Sequence, residues 1–536
     1  MATTQTVLEA PLELIALEER NQSQRVSEHQ SSQNGRRVFE ADPAFTTSPA
    51  SRRMIIALLV CANMVQVTQF VSNAVTIAGG LALSKDLGRE SGPGKANWMV
   101  ASYPLTQGAF VLVTGRLGAI FGHKQLSLLG CAIFTLFSFT NAFTKTYDSF
   151  IAMRALTGVG GGVFMPNAVS IITTMVPPGR SRNVVLGFFA ASPPLGGMIG
   201  ALITGVFMDR VNWMWLFILI AGVSAVNLAW LAWLMPKETP VDKGGHIDIP
   251  GIVMGLGSLL LFNVVCNQAP SVGWNTPYEI ALIILSVFLF AAFLVWEKRY
   301  AKEPIMPLSI FQAPTFLALI FVVLLSYMAF GIGLWYSVAW QQLLRGVSLT
   351  QTGIHFIPFG LSSLLAVFVA AWLIPRVAAQ WIMAIGVLVT FGGNILLATM
   401  PVQQTFWAQL FPAMVLYGFC PDLVYVAAQV IASNSVSRRQ QGIASSLIGT
   451  LNLYGNSLGQ GFAGTIETEV GTNNDDEVKG FRAALYFAAG LALLGLALDI
   501  AFVRLPKDER EGWEDASDVD EREMDGMTTA VEVRSA

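Results

Sequence analysis

Leu282-Ile283-Ile284-Leu285-Ser286-Val287-Phe288-Leu289-Phe290-Ala291-Ala292-Phe293-Leu294-Val295 is apolar at every position except Ser286. A strand of a membrane barrel alternates lipid-facing and lumen-facing residues with period two, and no such alternation is present here. A helix closes its own backbone hydrogen bonds and can be apolar all round, which lipid demands. The run extends over residues 279–296, close to the ~20 mostly apolar residues that carry a helix across the hydrocarbon. It reads as a membrane-spanning helix, and the rest of the chain repeats the pattern.

Working outward, thirteen further stretches of this kind lie near 54–83, 97–115, 125–144, 149–175, 183–208, 213–235, 250–269, 315–340, 350–375, 380–400, 407–433, 441–466 and 481–503. The expected fold class is therefore an all-α membrane protein with 14 transmembrane helices. Composition agrees: of 536 residues 53% are hydrophobic and only 12% charged. A soluble chain is charged at roughly 25% of positions, so there are too few ionic groups here to cover a water-facing surface. A net charge of -3 gives no bulk attraction to nucleic acid. Cys61, Cys131, Cys266 and Cys420 are far apart in apolar stretches, which is neither a disulfide framework nor a metal spacing.

Arg52 and Arg53 just before the first span, together with an even number of spans, place both termini on the cytoplasmic side. Residues 1–50 are polar without an apolar period and read as a disordered cytoplasmic tail; residues 506–536 read as an acidic cytoplasmic tail. The polar segment 236–250 separates the first six spans from the rest, and a charged stretch from Glu297 to Pro307 precedes span 9. The expected organisation is a six-helix bundle over 51–235, a linker with two inserted helices over 236–310, and a second six-helix bundle over 311–505. Two such halves around a midplane site is a plan used by many secondary transporters.

Polar residues inside the spans carry the functional signal. Span 1 holds Asn63, Gln66, Gln69 and Asn73 within roughly a 120° arc of the helix. Span 12 holds Asp422, Tyr425 and Gln429 within roughly 60°, and span 13 holds Asn452, Asn456 and Gln460 within roughly 80°. Such stripes line a shared wet cavity or glue helices together by hydrogen bonds. Arg154 in span 4 and Asp422 in span 12 are ionisable groups deep in apolar sequence, a placement that calls for a cavity or a partner. Desolvation opposes a carboxyl's charged form, which makes Asp422 the candidate proton carrier, with a structural acid near Pro421 as the alternative. Trp335, Tyr336 and Trp340, then His355 and Phe356, form an aromatic group that reads equally as cavity wall or as interfacial belt. His355 reads as a packed histidine. Gly158, Gly160, Gly161 and Gly162 in span 4, and Gly196, Gly197 and Gly200 in span 5, mark close helix contacts.

No G-x-x-x-x-G-K-[ST] loop, no H-E-x-x-H and no zinc-spaced cysteine pair is present, so neither ATP nor a metal is expected to drive chemistry. The expectation is a non-enzyme without a cofactor, energised by an ion gradient.

Gly115-Arg116-Leu117-Gly118-Ala119-Ile120-Phe121-Gly122-His123-Lys124 resembles the loop between helices 2 and 3 of the major facilitator superfamily. Arg154 to Gly162, followed by Met165-Pro166-Asn167, is similar to the superfamily's span-4 arginine motif, and Gly187 to Ala201 resembles a degenerate antiporter motif. Fourteen spans, Trp98, Tyr103-Pro104-Leu105 and Asn212-Trp213-Met214-Trp215 resemble the fourteen-spanner drug:proton antiporters. Gly115 to Lys124 and Gly418-Phe419-Cys420-Pro421-Asp422-Leu423 resemble their fungal aminotriazole-resistance and borate-exporter branch.

The resemblance covers roughly residues 52–505. It implies export of small molecules in exchange for protons, by alternating access, from a monomer embedded in the plasma membrane or, alternatively, the vacuolar membrane. It casts Asp422 and Arg154 in proton coupling. Gln66, Gln69, Asn73, Asn167, Trp335, Tyr336, Tyr425, Gln429, Asn452 and Asn456 become cavity candidates, and Gly115, Arg116, Gly122, His123 and Lys124 the gating loop. Two departures stand out. Ala119 occupies the position of an Asp that the family pairs with a basic group, so that pair is expected to be lost; Gly196-Gly197 replaces a Gly-Pro step. Both keep open an uncoupled facilitator and a non-transporting receptor as alternatives.

Overall fold

The computed structural model describes residues 49–504 except 90–91, 176–184, 186–187, 236–239, 241, 243–244, 302–305, 307, 313, 437–439 and 475. The two tails (apart from Pro49 and Ala50), part of the 236–250 segment and Gly187 lie outside the described residues.

Long helices follow one another as α1 (Pro49–Asp86), α2 (Trp98–Phe121), α3 (His123–Asn141), α4 (Tyr147–Met175), α5 (Ser192–Arg210), α6 (Trp213–Leu234), α7 (Ile249–Val272), α8 (Pro277–Arg299), α9 (Pro314–Ala339), α10 (Leu349–Leu373), α11 (Ala379–Ala398), α12 (Leu410–Ser435), α13 (Gln441–Asn474) and α14 (Glu477–Phe502). A π turn at Trp340–Leu344 extends α9, and α10 is interrupted at Phe356. Eleven of these helices are long and apolar enough to cross a membrane; α2, α3 and α13 fall short in apolarity. The three carry the polar faces: Tyr103 and Gln107 on α2, His123 and Lys124 on α3, Asn452, Asn456 and Gln460 on α13. Even α3, with 19 residues, reaches about 28 Å.

Local chemistry sets the helix ends. Side chains of Asn212, Asp248, Ser348 and Asp476 accept the backbone N–H of Met214, Gly251, Gln351 and Lys479, satisfying donors that would otherwise be orphaned. Gly122 separates α2 from α3 at φ 102°, a conformation that favours glycine.

Among the first six helices α1 packs on α5 and α6, α4 on α2 and α3, and α3 on α6. Among the last six α9 packs on α13 and α14, and α11 and α10 on α12. The two sets meet along α2–α13 and α5–α10. Glycines permit the tightest approaches. A Cβ on Gly130 would lie 2.8 Å from the Gly160 carbonyl oxygen and one on Gly160 would lie 2.7 Å from that of Gly130, so α3 and α4 touch backbone to backbone. Large apolar side chains such as Trp233, Phe368 and Phe288 stand exposed on the outside, as a lipid-facing surface requires.

The face that carries the start of α1 and the end of α14 is called here the terminal face, and the opposite one the distal face. The inserted helices occupy one flank. Only 17% of α8's apolar window is buried, so it faces lipid on most sides. In contrast α7 is stitched to both halves. Asn97, at the start of α2, donates to the Asn267 side chain (3.2 Å) and carbonyl (3.0 Å). Asn267 donates to Asn263 Oδ1 (2.7 Å) and to the Ser457 carbonyl on α13 (3.2 Å), and Ser457 Oγ donates to Asn263 Oδ1 (2.8 Å). All four residues are fully buried. Trp98–Gln268 and Trp274–Thr465 hydrogen bonds flank this ladder.

Candidate functional site

In the N-terminal half the polar centre is Arg154. It is 0% exposed; its guanidinium donates to Ser72 Oγ (2.7 Å), the Ser72 carbonyl (3.1 Å) and Thr76 Oγ1 (3.4 Å), and stands 4.8 Å from the Tyr103 ring centroid. Among the described residues no carboxylate pairs with it. Gly158 and Gly161 make room: a Cβ on Gly161 would lie 2.7 Å from Tyr103 Oη and 3.1 Å from Gln107 Nε2. Gln107 thus joins this cluster, although the sequence reading passed over it; its signal was the i, i+4 spacing from Tyr103 on α2.

The counterpart in the C-terminal half is Asp422 on α12, 7% exposed. Ser363 Oγ of α10 donates to Asp422 Oδ2. The preceding turn is held from two sides, by Tyr327 Oη donating to the Pro421 carbonyl (2.8 Å) and Thr390 Oγ1 to Cys420 Sγ (2.6 Å). A fixed, charge-capable carboxyl and a fixed guanidinium therefore lie in opposite halves, held by hydroxyls and one backbone carbonyl, with no counter-ion among the described residues. Neither is locked into an ion pair, so each remains available to a proton, an ion or a polar solute.

The remaining candidates fall into three places. Gln66 and Gln69 are buried on α1 with side-chain oxygens that have no protein partner, as have Asn73 Oδ1, both side-chain polar atoms of Gln107, and Gln460 Oε1. Buried polar atoms in native proteins are nearly always satisfied, so these side chains have capacity left for water or a polar solute. Asn456 donates to the Asn452 carbonyl (2.9 Å) and presses on Gly331 of α9; Gln429 donates to the Ser445 carbonyl (3.2 Å) and is paired with Tyr425.

Asn167 goes elsewhere. Its Oδ1 meets His123 Nδ1 at 2.8 Å while its amide donates to the Val163 carbonyl (2.7 Å), which sets it on α4 against the α2–α3 junction at the terminal face. A Cβ on Gly118 would run into this contact.

Trp335 and Tyr336 are 1% exposed and so are not lipid-belt residues. Trp335 Nε1 donates to the Pro93 carbonyl (3.1 Å), reaching from one half to the other on the distal face. His355 stacks on Phe406 with centroids 3.9 Å apart and bonds Gln341 (2.6 Å), the packed histidine expected.

The gating loop corrects one expectation. The charge pair forfeited at Ala119 is present, with its acid drawn from the linker. Asp242 Oδ2 lies 2.8 Å from Arg116 Nη1, and the Asp242 N–H donates to the carbonyl of Ala119 itself (2.9 Å). Lys124 Nζ donates to the Met235 carbonyl at the end of α6 (2.6 Å). Asp242 is therefore held against the end of α2 by both its side chain and its backbone.

The sequence profile of the Major Facilitator Superfamily matches residues 55–460 and 319–524. The chain belongs to the major facilitator superfamily. It is an integral, multi-pass membrane transporter of that family. Its relatives include the low affinity ammonium transporter of Saccharomyces cerevisiae (33% identical, covering 75% of this chain and 80% of the relative). Others are the efflux pump terJ of Aspergillus terreus (30%; 85% and 89%) and the aminotriazole resistance protein of S. cerevisiae (30%; 77% and 77%). The last of these agrees with the branch that the motifs resemble. Among solved structures the peptide transporter POT matches with a TM-score of 0.61 at 17% identity, over 84% of this chain and 96% of that one, a likeness of fold. The fourteen helices fit this frame as twelve superfamily helices plus the inserted α7 and α8.

Proposed function

We propose that this transporter exports small organic or inorganic solutes from the cytoplasm in exchange for protons, by alternating access. The terminal face is the cytoplasmic one, the membrane is the plasma membrane, and the protein works as a monomer without a cofactor. The observation that carries the reading is Asp422: a carboxyl buried in the C-terminal half, held by one hydroxyl and, among the described residues, without a cation beside it. Such a group can take up and give back a proton without breaking an ion pair. Arg154, equally free of a counter-ion, serves the other half as the cation that attracts or releases the proton's replacement. Relatives named as efflux pump and aminotriazole resistance protein support the outward direction.

The test is solute-dependent proton flux in liposomes holding the full chain, with azoles, borate and small aromatic metabolites as the panel. Wild type acidifies or alkalinises the lumen with the solute gradient. Asp422→Asn is expected to insert and bind normally yet lose that flux. Full flux in Asp422→Asn refutes the assignment. A second reading is favoured by Ala119 and by the Gly196-Gly197 step in α5: uncoupled facilitation of a small solute. Transport that is unaffected by a protonophore and runs equally in both directions selects it.

A further inference from the structure

On the distal face the connection between α1 and α2 presents Gly92-Pro93-Gly94 to the opposite half. Two side chains of that half hold it. Trp335 of α9 donates to the Pro93 carbonyl at 3.1 Å. Glu467 of α13 accepts the Gly94 backbone N–H and receives Tyr336 Oη at 3.5 Å. The fit is tight, and at Gly94 it admits only glycine. A Cβ on Gly92 would lie 3.3 Å from Glu467 Oε1, and one on Gly94 would meet Glu467 Oε2 and lie 2.8 Å from the Gly464 carbonyl oxygen. The tripeptide is thus a knob of backbone seated in the C-terminal half, and the carboxylate is the part of the seat that carries charge. The titratable or charged groups facing it are Tyr336 on α9, Lys95 on the knob's own strand of chain and Glu477 at the start of α14.

We propose that Glu467 is a second proton-binding position, set at the distal mouth, whose protonation releases the knob and lets that mouth open. A carboxylate is a stronger acceptor for an N–H than a neutral carboxyl oxygen, and the distal mouth cannot open while Gly94 stays bonded across it. A proton arriving from the distal side neutralises Glu467, weakens its bond to Gly94 and leaves Trp335–Pro93 as the remaining hold on the knob, beside the neutral-donor bonds of Gln342 and Thr350 elsewhere on that face. The proton moves onto a carboxylate oxygen and returns to water when the knob reseats, so nothing else is consumed. The idea rests on the proton-coupled reading and places its external proton at a residue distinct from Asp422.

The experiment reads opening directly. Ala78, buried on α1 where its carbonyl accepts from Gln342 of the opposite half, is replaced by cysteine in the full chain in liposomes, and its labelling by a membrane-impermeant maleimide from the distal side is followed as the distal solution is acidified. Labelling above that of the parent chain is expected to rise about tenfold on acidification, the difference between a charge-assisted and a neutral hydrogen bond. In Glu467→Gln it is expected to be high already at neutral pH and flat with pH. Gly94→Ala, which ejects the carboxylate sterically, is expected to give the same flat, high labelling with Glu467 intact. An unchanged pH response in Glu467→Gln overturns the proposal, as does wild-type behaviour in Gly94→Ala. A Glu467-dependent response in a protein whose transport proves uncoupled upholds the latch and refutes the coupling; coupled transport with a Glu467-independent response does the reverse.

Discussion

Moving the gate's carboxylate back from the linker to helix α2 separates two accounts of the terminal face. In the structure Arg116 has Asp242 at 2.8 Å, and Asp242 is also anchored by its N–H to Ala119. The pair is part-exposed, at 39% and 41% for the two side chains, so its expected worth is about 0.2–1 kcal/mol, at most a fivefold bias in an equilibrium. Asp242→Ala removes the acid and is expected to shift the ratio of inward-open to outward-open molecules by up to that factor. Ala119→Asp in the same background returns a carboxylate to Arg116 and is expected to restore the ratio. Introduced alone, Ala119→Asp crowds a second acid against Asp242 and is expected to act in the opposite sense, because only one guanidinium is available to share. The signature is a change of sign with background, which a merely local packing effect does not produce. Populations can be read from spin-label distances across the terminal face, as a four-member cycle at low ionic strength. Additive effects of the two substitutions refute the substitution of one acid for the other.

Three other outcomes follow from the packing. Asn267→Leu removes the side-chain bond from α7 to Ser457, at about 0.6 kcal/mol, while Asn97 keeps its bond to the residue-267 carbonyl, and it is expected to favour distal opening about threefold in a distal-face distance measurement. Gly160→Val drives two methyls into the Gly130 backbone and is expected to cost about 1–3 kcal/mol, seen as a lower midpoint in thermal unfolding of the detergent-solubilised chain. Asp499 on α14 is 1% exposed with both carboxylate oxygens unpartnered, so Asp499→Leu is expected to raise that midpoint; a fall would show that the acid has a partner in the membrane.

The helices were legible because lipid makes each one answer for its own backbone, so Leu282–Val295 declares itself without reference to any neighbour. Where neighbours matter, the signal thins: α13 crosses as a helix while its asparagines, glutamine and glycines keep it below an apolarity threshold. Arg154 and Asp422 stood out for the same reason in reverse, as charges in apolar runs. Pairings across the fold left no such trace. Nothing in the sequence around Asn167 says that it bonds His123, forty-four residues away. Trp335 looked equally like belt or wall until Pro93 supplied a partner for its indole. Glu467 sat at the polar end of a span, where acids are ordinary. Ala119 was read as a loss because sequence shows which side chain is missing from a position, and only packing shows which one has come from elsewhere to fill it.

The distribution of these contacts bears on how much energy a transport cycle needs. Direct hydrogen bonds between the halves at the distal face include Trp335 to the Pro93 carbonyl, Gln342 to the Ala78 carbonyl and the Thr350 N–H to Asp209. At the typical ~0.6 kcal/mol for such bonds in a membrane protein, breaking three costs about 1.8 kcal/mol. A proton falling through 100 mV supplies about 2.3 kcal/mol, and one pH unit adds about 1.4. One proton therefore exceeds the cost of parting these three bonds, with about 1.9 kcal/mol left for the Glu467–Gly94 latch and a solute gradient. Strong buried ion pairs across the same face would have consumed that margin. An indole, an amide and backbone N–H groups, bonded to carbonyls and to the single carboxylates of Asp209 and Glu467, keep the closed state well defined and still openable.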